Sequence, residues 1–313
     1  MNRTNKAYFK LAASKVITGS SLVVGKIIAT SFPVFLASGL RLAIASAVLL
    51  PLLIKHENGI PRLSKKDWTI LFLQAFTGVF LFSIALLYGL RLTSATESGV
   101  ITSTVPAIIA LLSYLILKEK LSWHKGSGIM LAVFGILAIN IFGSSAGLRH
   151  GSNPLLGNAL ILGAVLGEAL FITFGKIASE DVTPLAVATF VSIFGFLMFM
   201  PFSILETKGF NPSSVPFSGW IAVVYYVIIG TIGSIVLWQQ GVATVEENTA
   251  AVFTTLMPIS AMFLSYIVLK EPFSWYNLAG VLLVLLGIGF IAKEPLEGRE
   301  VNASFRASKL PLR

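Results

Sequence analysis

Two ionisable side chains stand inside long apolar runs of this chain. Glu168 lies within LGAVLGEALFITFGK and Lys15 within LAASKVITGSS. A charge held at the centre of a bilayer costs about 3 kcal/mol on insertion scales, so each needs a partner or a task. A carboxylate there can carry a proton or hold an ammonium group, and a lysine can hold a carboxylate. Together they suit the two ends of a zwitterionic substrate, with Glu168 the candidate proton-coupling group. The competing reading is a structural ion pair, or a lysine that snorkels to the interface. Arg41 follows Pro33 by eight residues, deeper than an interface arginine requires. It is a candidate contact for substrate or for a gating carboxylate such as Glu97; the alternative is a pairing that fixes its helix.

Polar, aromatic and kinking residues supply further candidates. Tyr88, Trp238, Gln239 and Gln240 are expected to gather at the ends of two related segments, where rings and amides recognise small molecules by stacking and hydrogen bonding. Interface anchoring accounts for Tyr88 and Trp238 nearly as well. Gln74 and the run Thr18-Gly19-Ser20-Ser21, with Ser20 as the candidate binding hydroxyl, either line a cavity or let helices approach closely. Gly163 and Gly167 form a small-xxx-small packing motif. Pro106 and Pro258 fall mid-segment, where each removes a backbone hydrogen bond, so both are candidate gating kinks. Lys26 and Lys176 close their segments, where a cation favours the helix dipole.

Several chemistries find no support. His56, His124 and His150 lack metal-ligand spacing, and there is no Walker loop, GxGxxG or GxSxG. No catalytic residue, metal or cofactor is therefore expected, and an ATP-driven mechanism would need another subunit. With no cysteine in the chain there is no thiol chemistry. An intramembrane enzyme acting on lipids would need paired carboxylates, clustered histidines or a nucleophile at one interface, and none is visible. A purely structural membrane protein would not need an inward charge such as Glu168.

The elements that must position these groups follow from composition. Of 313 residues, 55% are hydrophobic and only 12% charged, against roughly a quarter charged in a soluble domain. Apolar runs of about twenty residues predict membrane-spanning helices, whereas barrel strands would be near ten and would alternate. The reading is an all-α integral membrane protein with ten transmembrane helices, near 7–29, 33–54, 69–90, 97–117, 124–142, 155–178, 184–205, 219–241, 248–269 and 275–292. The net charge of +9 does not indicate nucleic acid, because the basic residues lie in short loops and tails. Sixteen lysines and arginines fall on the side of the N-terminus and four on the other, which places both termini in the cytoplasm of a cell-membrane protein.

One phrase occurs twice and divides the chain. LKEKLSW at 117–123 returns as LKEPFSW at 269–275, an offset of 152 that holds without a gap from Trp68/Trp220 to Ile139/Ile291. Gly78/Gly230, Gly89/Gly241, Pro106/Pro258 and Lys118-Glu119/Lys270-Glu271 stay in register across it. The first two helices align more weakly, Gly25-Lys26 with Gly175-Lys176 at offset 150 and Pro33 with Pro184 one residue later. The organisation is a cytoplasmic arm 1–6, a five-helix repeat 7–142, an extracytoplasmic linker 143–154, a second repeat 155–292 and a basic cytoplasmic tail 293–313. Five is odd, so the second repeat enters the membrane upside down, an arrangement that suits two equivalent open states.

In these features the chain resembles the drug/metabolite transporter superfamily, and specifically the ten-helix EamA-type exporters. The matching stretches are Gly25-Lys26, Pro33 to Arg41, Gly89 to Ala95, Pro106 and Lys118-Glu119, then Pro184, Gln240 to Ala243, Pro258 and Lys270-Glu271. The tryptophan common before the Gly-Ser of helix 1 in such families is here Thr18, so that aromatic contact does not carry over. The resemblance implies a cavity lined by helices 1–4 and 6–9. The function expected is secondary-active export of amino acids or related small metabolites by alternating access, with the proton as candidate coupling ion and the bilayer as surroundings. A nucleotide-sugar-like or other metabolite exchanger is the alternative within transport. The topology is open to test, because the cysteine-free chain accepts single cysteines. A membrane-impermeant maleimide applied to intact cells should label Lys208→Cys and not Lys66→Cys, and the reverse pattern would invert the orientation.

Overall fold

Inside lipid every backbone N–H and C=O must find its partner within the chain, so apolar runs of this length are driven into helices. The computed structural model describes residues 3–57, 59–61, 63–116, 123–145, 152–175, 182–242, 245, 253–272 and 274–292, and among these there are helices and turns but no strand. The first half contains α1 (Arg3–Ser31), α2 (Val34–Glu57), α3 (Lys65–Ala75), α4 (Phe82–Leu92), α5 (Ala95–Thr102), α6 (Val105–Ile116) and α7 (Trp123–Ser145). The second contains α8 (Pro154–Gly175), α9 (Pro184–Thr207), α10 (Phe217–Tyr225), α11 (Ser234–Val242), α12 (Leu256–Val268) and α13 (Trp275–Ala292). Among the described residues seven helical stretches are long and apolar enough to cross a membrane, and three shorter apolar helices accompany them.

Two of these stretches are continuous through a wide turn. The π-helical segments Phe76–Leu81 and Tyr226–Gly233 join α3 to α4 and α10 to α11, and at an offset of 152 they overlap. The prolines do something other than kink a helix in its middle. α5 stops at Thr102, a turn follows at Ser103–Thr104, and Pro106 occupies the first turn of α6. Pro258 stands likewise in the first turn of α12, after a turn at Thr254–Thr255. Proline lacks the N–H that a helix interior needs but a first turn does not, so the chain breaks ahead of it. Side chains support the first break: the Thr102, Ser103 and Thr104 hydroxyls donate to the carbonyls of Ser98, Gly99 and Ile101 at 2.8, 2.6 and 2.6 Å.

Packing is closest at glycines, and the contacts are reciprocal. A Cβ on Gly89 would lie 2.6 Å from Ile161 Cδ1, and one on Gly241 would lie 2.6 Å from Leu11 Cδ2. A Cβ on Gly78 would meet the Phe171 ring at 2.7 Å, and one on Gly230 would meet Ser21 Oγ at 2.6 Å. The glycines in each pair are 152 apart and their partners 150 apart. Between α7 and α13, Gly135 faces the carbonyl of Gly280 and Gly287 that of Gly128, a swap at offset 152. α2 lies against α9, and α1 against α4, α11 and α12.

The Gly163/Gly167 motif splits. On α8 a Cβ at Gly167 would come 2.6 Å from the carbonyl oxygen of Thr77, while nothing lies within 4 Å of one at Gly163. Gly167→Ala should therefore lower stability by about 1–3 kcal/mol through overpacking against backbone. Gly163→Ala should be neutral or gain a few tenths through helix propensity. Thermal unfolding of the two variants in one detergent checks the contrast, and equal losses at both positions would refute it.

Candidate transport site

The long helix α1 carries groups that meet the second half of the chain. Lys15 Nζ lies 3.9 Å from the centre of the Trp238 ring on α11, a cation–π contact worth up to about 2 kcal/mol when shielded from water. Glu168 on α8 is near enough to interact electrostatically with Lys15. The two do not form an ion pair, and the half-buried Glu168 carboxylate makes no hydrogen bond among the described residues. One turn beyond Lys15, Thr18 shares a hydrogen bond of 2.9 Å with Ser234 Oγ, and Ser14 donates to the Ser234 carbonyl at 2.8 Å. Ser20 donates to Ile17 O at 2.7 Å and shares a hydrogen bond of the same length with Tyr225 Oη. These hydroxyls knit α1 to the α10–α11 stretch around the Lys15–Trp238 contact.

Arg41 belongs to a different place, where α1, α2, α4 and α10 border an open cleft lined by Ser38, Arg41, Ser83 and Tyr226 among apolar side chains. Its Nη2 donates to Ser83 Oγ at 2.9 Å, and its guanidinium lies 5.4 Å from the centre of the Tyr226 ring. It does not reach Glu97. That carboxylate is buried, accepting at 2.8 Å from both Thr93 Oγ1 and Asn158 Nδ2. The expected gating pair is therefore absent, because Glu97 turns toward α8 instead.

Tyr88 and Trp238 do not gather either. Tyr88 packs on Phe35 and under Arg91, and Arg91 holds the far end of α1 through the carbonyls of Ala29 and Phe32 at 2.5 and 2.7 Å. Gly241, just past Trp238, faces Ala7 at the near end of α1. Trp238 itself lies over Lys15, and the fourteen residues of helix from Lys15 to Ala29 span about 21 Å. The side chain of Gln239 lies outside the described residues, as do Lys118, Glu119 and Lys176. Gln74 is buried and donates to Phe171 O at 3.0 Å, a cross-helix tie. Ser38, Ser83, Tyr225 and Tyr226 escaped the sequence reading; the only signal was a pair of tyrosines inside an apolar run.

The repeated Lys-Glu phrase does have a structural task in its second copy. Lys270 adopts left-handed backbone, φ 54°, at a cost of about 1–2 kcal/mol. The turn carries Glu271 to the N-terminus of α5, where Oε1 accepts from Ala95 N at 2.8 Å and Oε2 from Thr96 N at 3.2 Å. Lys26 Nζ completes the joint, 3.2 Å from Glu271 Oε1 and 2.6 Å from Thr93 O. Burial pushes the Glu271 carboxyl upward, but Lys26 and the donors of Ala95 and Thr96 outweigh it and hold the group below its usual range.

Apolar helices stacked with glycine-scale precision around a few inward charges are the build of a multi-pass membrane transporter. The chain belongs to the EamA-like transporter family, whose pattern matches residues 5–141 and again 155–293. It is 48% identical over 283 residues to "Uncharacterized transporter YetK" of Bacillus subtilis (strain 168), covering 90% of this chain and 85% of that one. "Uncharacterized transporter YyaM" of the same organism is 25% identical over 281 residues, with 90% and 92% covered. A solved structure described as "Crystal structure of protein" superposes with a TM-score of 0.56 over 93% of this chain and 98% of its own; at 17% identity this speaks to the fold alone.

The joint at Glu271 predicts a pH signature. A carboxyl held below its unfolded value stabilises the fold above about pH 4.3, and that contribution disappears as pH falls through the folded value. Glu271→Gln should cost about 1–3 kcal/mol at pH 7, and its gap to the wild type should narrow under acid. Unfolding measured at both ends of that range checks this; a gap that stays constant would mean the charge is irrelevant.

Proposed function

We propose that this transporter is a secondary-active exporter of amino acids or related small metabolites. It works by alternating access between two inverted five-helix halves, 7–142 and 155–292, in the cytoplasmic membrane with both termini inside. The observation that carries the reading is Glu168: a carboxylate in an apolar helix, without a hydrogen bond among the described residues, beside a lysine held over Trp238. A charge so placed is costly and marks a transport pathway by default, and its freedom to accept a proton or an ammonium group makes the proton the candidate coupling ion.

The reciprocal glycine contacts support the inverted halves, since a pseudo-twofold relation makes residue pairs recur with their roles exchanged. The turns ahead of Pro106 and Pro258 are the matching places for the halves to bend. Substrate-dependent flux by the purified chain in proteoliposomes, with a broad panel of metabolites, tests the reading. We expect flux that accelerates under a proton gradient, and a Glu168→Gln variant whose remaining flux ignores pH. An unchanged pH dependence in that variant would sink the coupling role, and no flux across the panel would sink the transport mechanism.

A further inference from the structure

We propose that the cleft between α1, α2, α4 and α10 is a carboxylate subsite, in which Arg41 holds the anionic end of a small acid with an apolar body. This rests on the transporter reading only in taking the bound acid as cargo; the binding itself does not.

Three observations converge. The guanidinium has five N–H donors in a planar fork, and Arg41 uses one among the described residues, to Ser83 Oγ at 2.9 Å. No carboxylate among the described residues pairs with it, although a fixed cation in an apolar bundle calls for an anion. The second observation is Ser38, which lines the same cleft, is 2% exposed, and whose hydroxyl has no hydrogen-bond partner. Buried hydroxyls are ordinarily paired, so an orphan facing a cleft marks a place for a ligand atom. The third is the frame itself. At the offset of 151 that pairs Pro33 with Pro184, Arg41 corresponds to Ser192 and Ser38 to Thr189. Those mates are satisfied within their own helix: Ser192 Oγ donates to Ala188 O and Thr189 Oγ1 to Leu185 O, each at 2.7 Å. Helix packing alone thus does not require the Arg41–Ser38 pair.

The rest of the cleft describes the ligand. A planar guanidinium suits a carboxylate through two parallel hydrogen bonds. The Tyr226 ring at 5.4 Å steadies the cation from one side. Ile28, Leu86, Leu87 and Val223 supply apolar wall.

The test is equilibrium binding to the purified full chain, read as a shift in thermal unfolding. The probes are 4-methylvalerate, 3-phenylpropionate, L-leucine and L-phenylalanine, each beside its methyl ester and amide at matched ionic strength. Free acids should stabilise saturably and the blocked forms should not. Arg41→Gln should weaken the apparent affinity about tenfold, as loss of a charge-assisted contact does, with Arg41→Lys between the two and Ser38→Ala weakened a few-fold. Stabilisation by the acids without an amine assigns the site to organic acids, and stabilisation by leucine and phenylalanine alone assigns it to amino acids. Esters as effective as acids, no effect of any acid in the tens-of-millimolar range, or an affinity unmoved by Arg41→Gln would overturn the proposal. If Arg41→Gln does not fold, an affinity unmoved by both Arg41→Lys and Ser38→Ala overturns it instead. Acids that bind but are not carried leave the subsite standing and defeat the transport mechanism. Flux with a wild-type KM in Arg41→Gln does the reverse.

Discussion

At Gly89 and Gly241 two helix backbones come so close that a methyl group has no room. In lipid the side chains of a helix gain nothing by leaving the oil for a neighbour, so association depends on close fit and on the few hydrogen bonds that fit allows. The glycine crossings supply the fit, and the rest follows from them. Where α3 and α4 pass α8, and where α11 passes α1, backbones are near enough for polar side chains to bridge. Gln74 to Phe171 O and Ser14 to Ser234 O are two such bridges. Larger residues at those crossings would push the helices apart and leave these groups unpaired in hydrocarbon, at a cost of several kcal/mol each.

The family, the membrane class and the helical build were legible because they rest on features that survive in one dimension. Apolar runs near twenty residues have one solution in a bilayer, and glycines and prolines in register at a fixed offset survive even where three quarters of the residues differ. What was not legible depends on reach between distant parts of the chain. Nothing in the order of residues distinguishes Gly167, pressed against Thr77, from Gly163, which faces open space. Nor does spacing reveal that Glu97 turns to Asn158 rather than Arg41, or that Tyr88 lies by the end of α1 while Trp238 lies over Lys15 near its middle. A serine among apolar residues reads as a packing residue, and only the surroundings of Ser38 show its hydroxyl without a partner.

The charges are distributed by a different logic from the glycines. The glycine contacts of Gly78 and Gly230, of Gly89 and Gly241, and of Gly135 and Gly287 each have a counterpart in the other half. Lys15, Glu168 and Arg41 have none: their counterparts are Val165, Thr18 and Ser192. Thr18 and Ser192 hydrogen-bond to carbonyls of their own helices. In the alternating access proposed above, a repeated frame stands in two symmetry-related arrangements of similar energy, while unrepeated charges let the two differ in what they hold. Glu271 lies between these cases. It belongs to the repeated phrase, yet it ties the turn after α12 to the start of α5 and to Lys26, joining both halves at one rim.

The break between α5 and α6 has a further consequence for how such a bundle can move. A polypeptide that bends in water borrows hydrogen bonds from the solvent while its own are open. In oil there is no lender, and a bare carbonyl resists bending. Around Ser103 the chain carries its own supply: three neighbouring hydroxyls already sit on the carbonyls of Ser98, Gly99 and Ile101. As the backbone unwinds, those carbonyls keep a donor. A bend at this joint would leave fewer carbonyls bare than a bend elsewhere in the same medium.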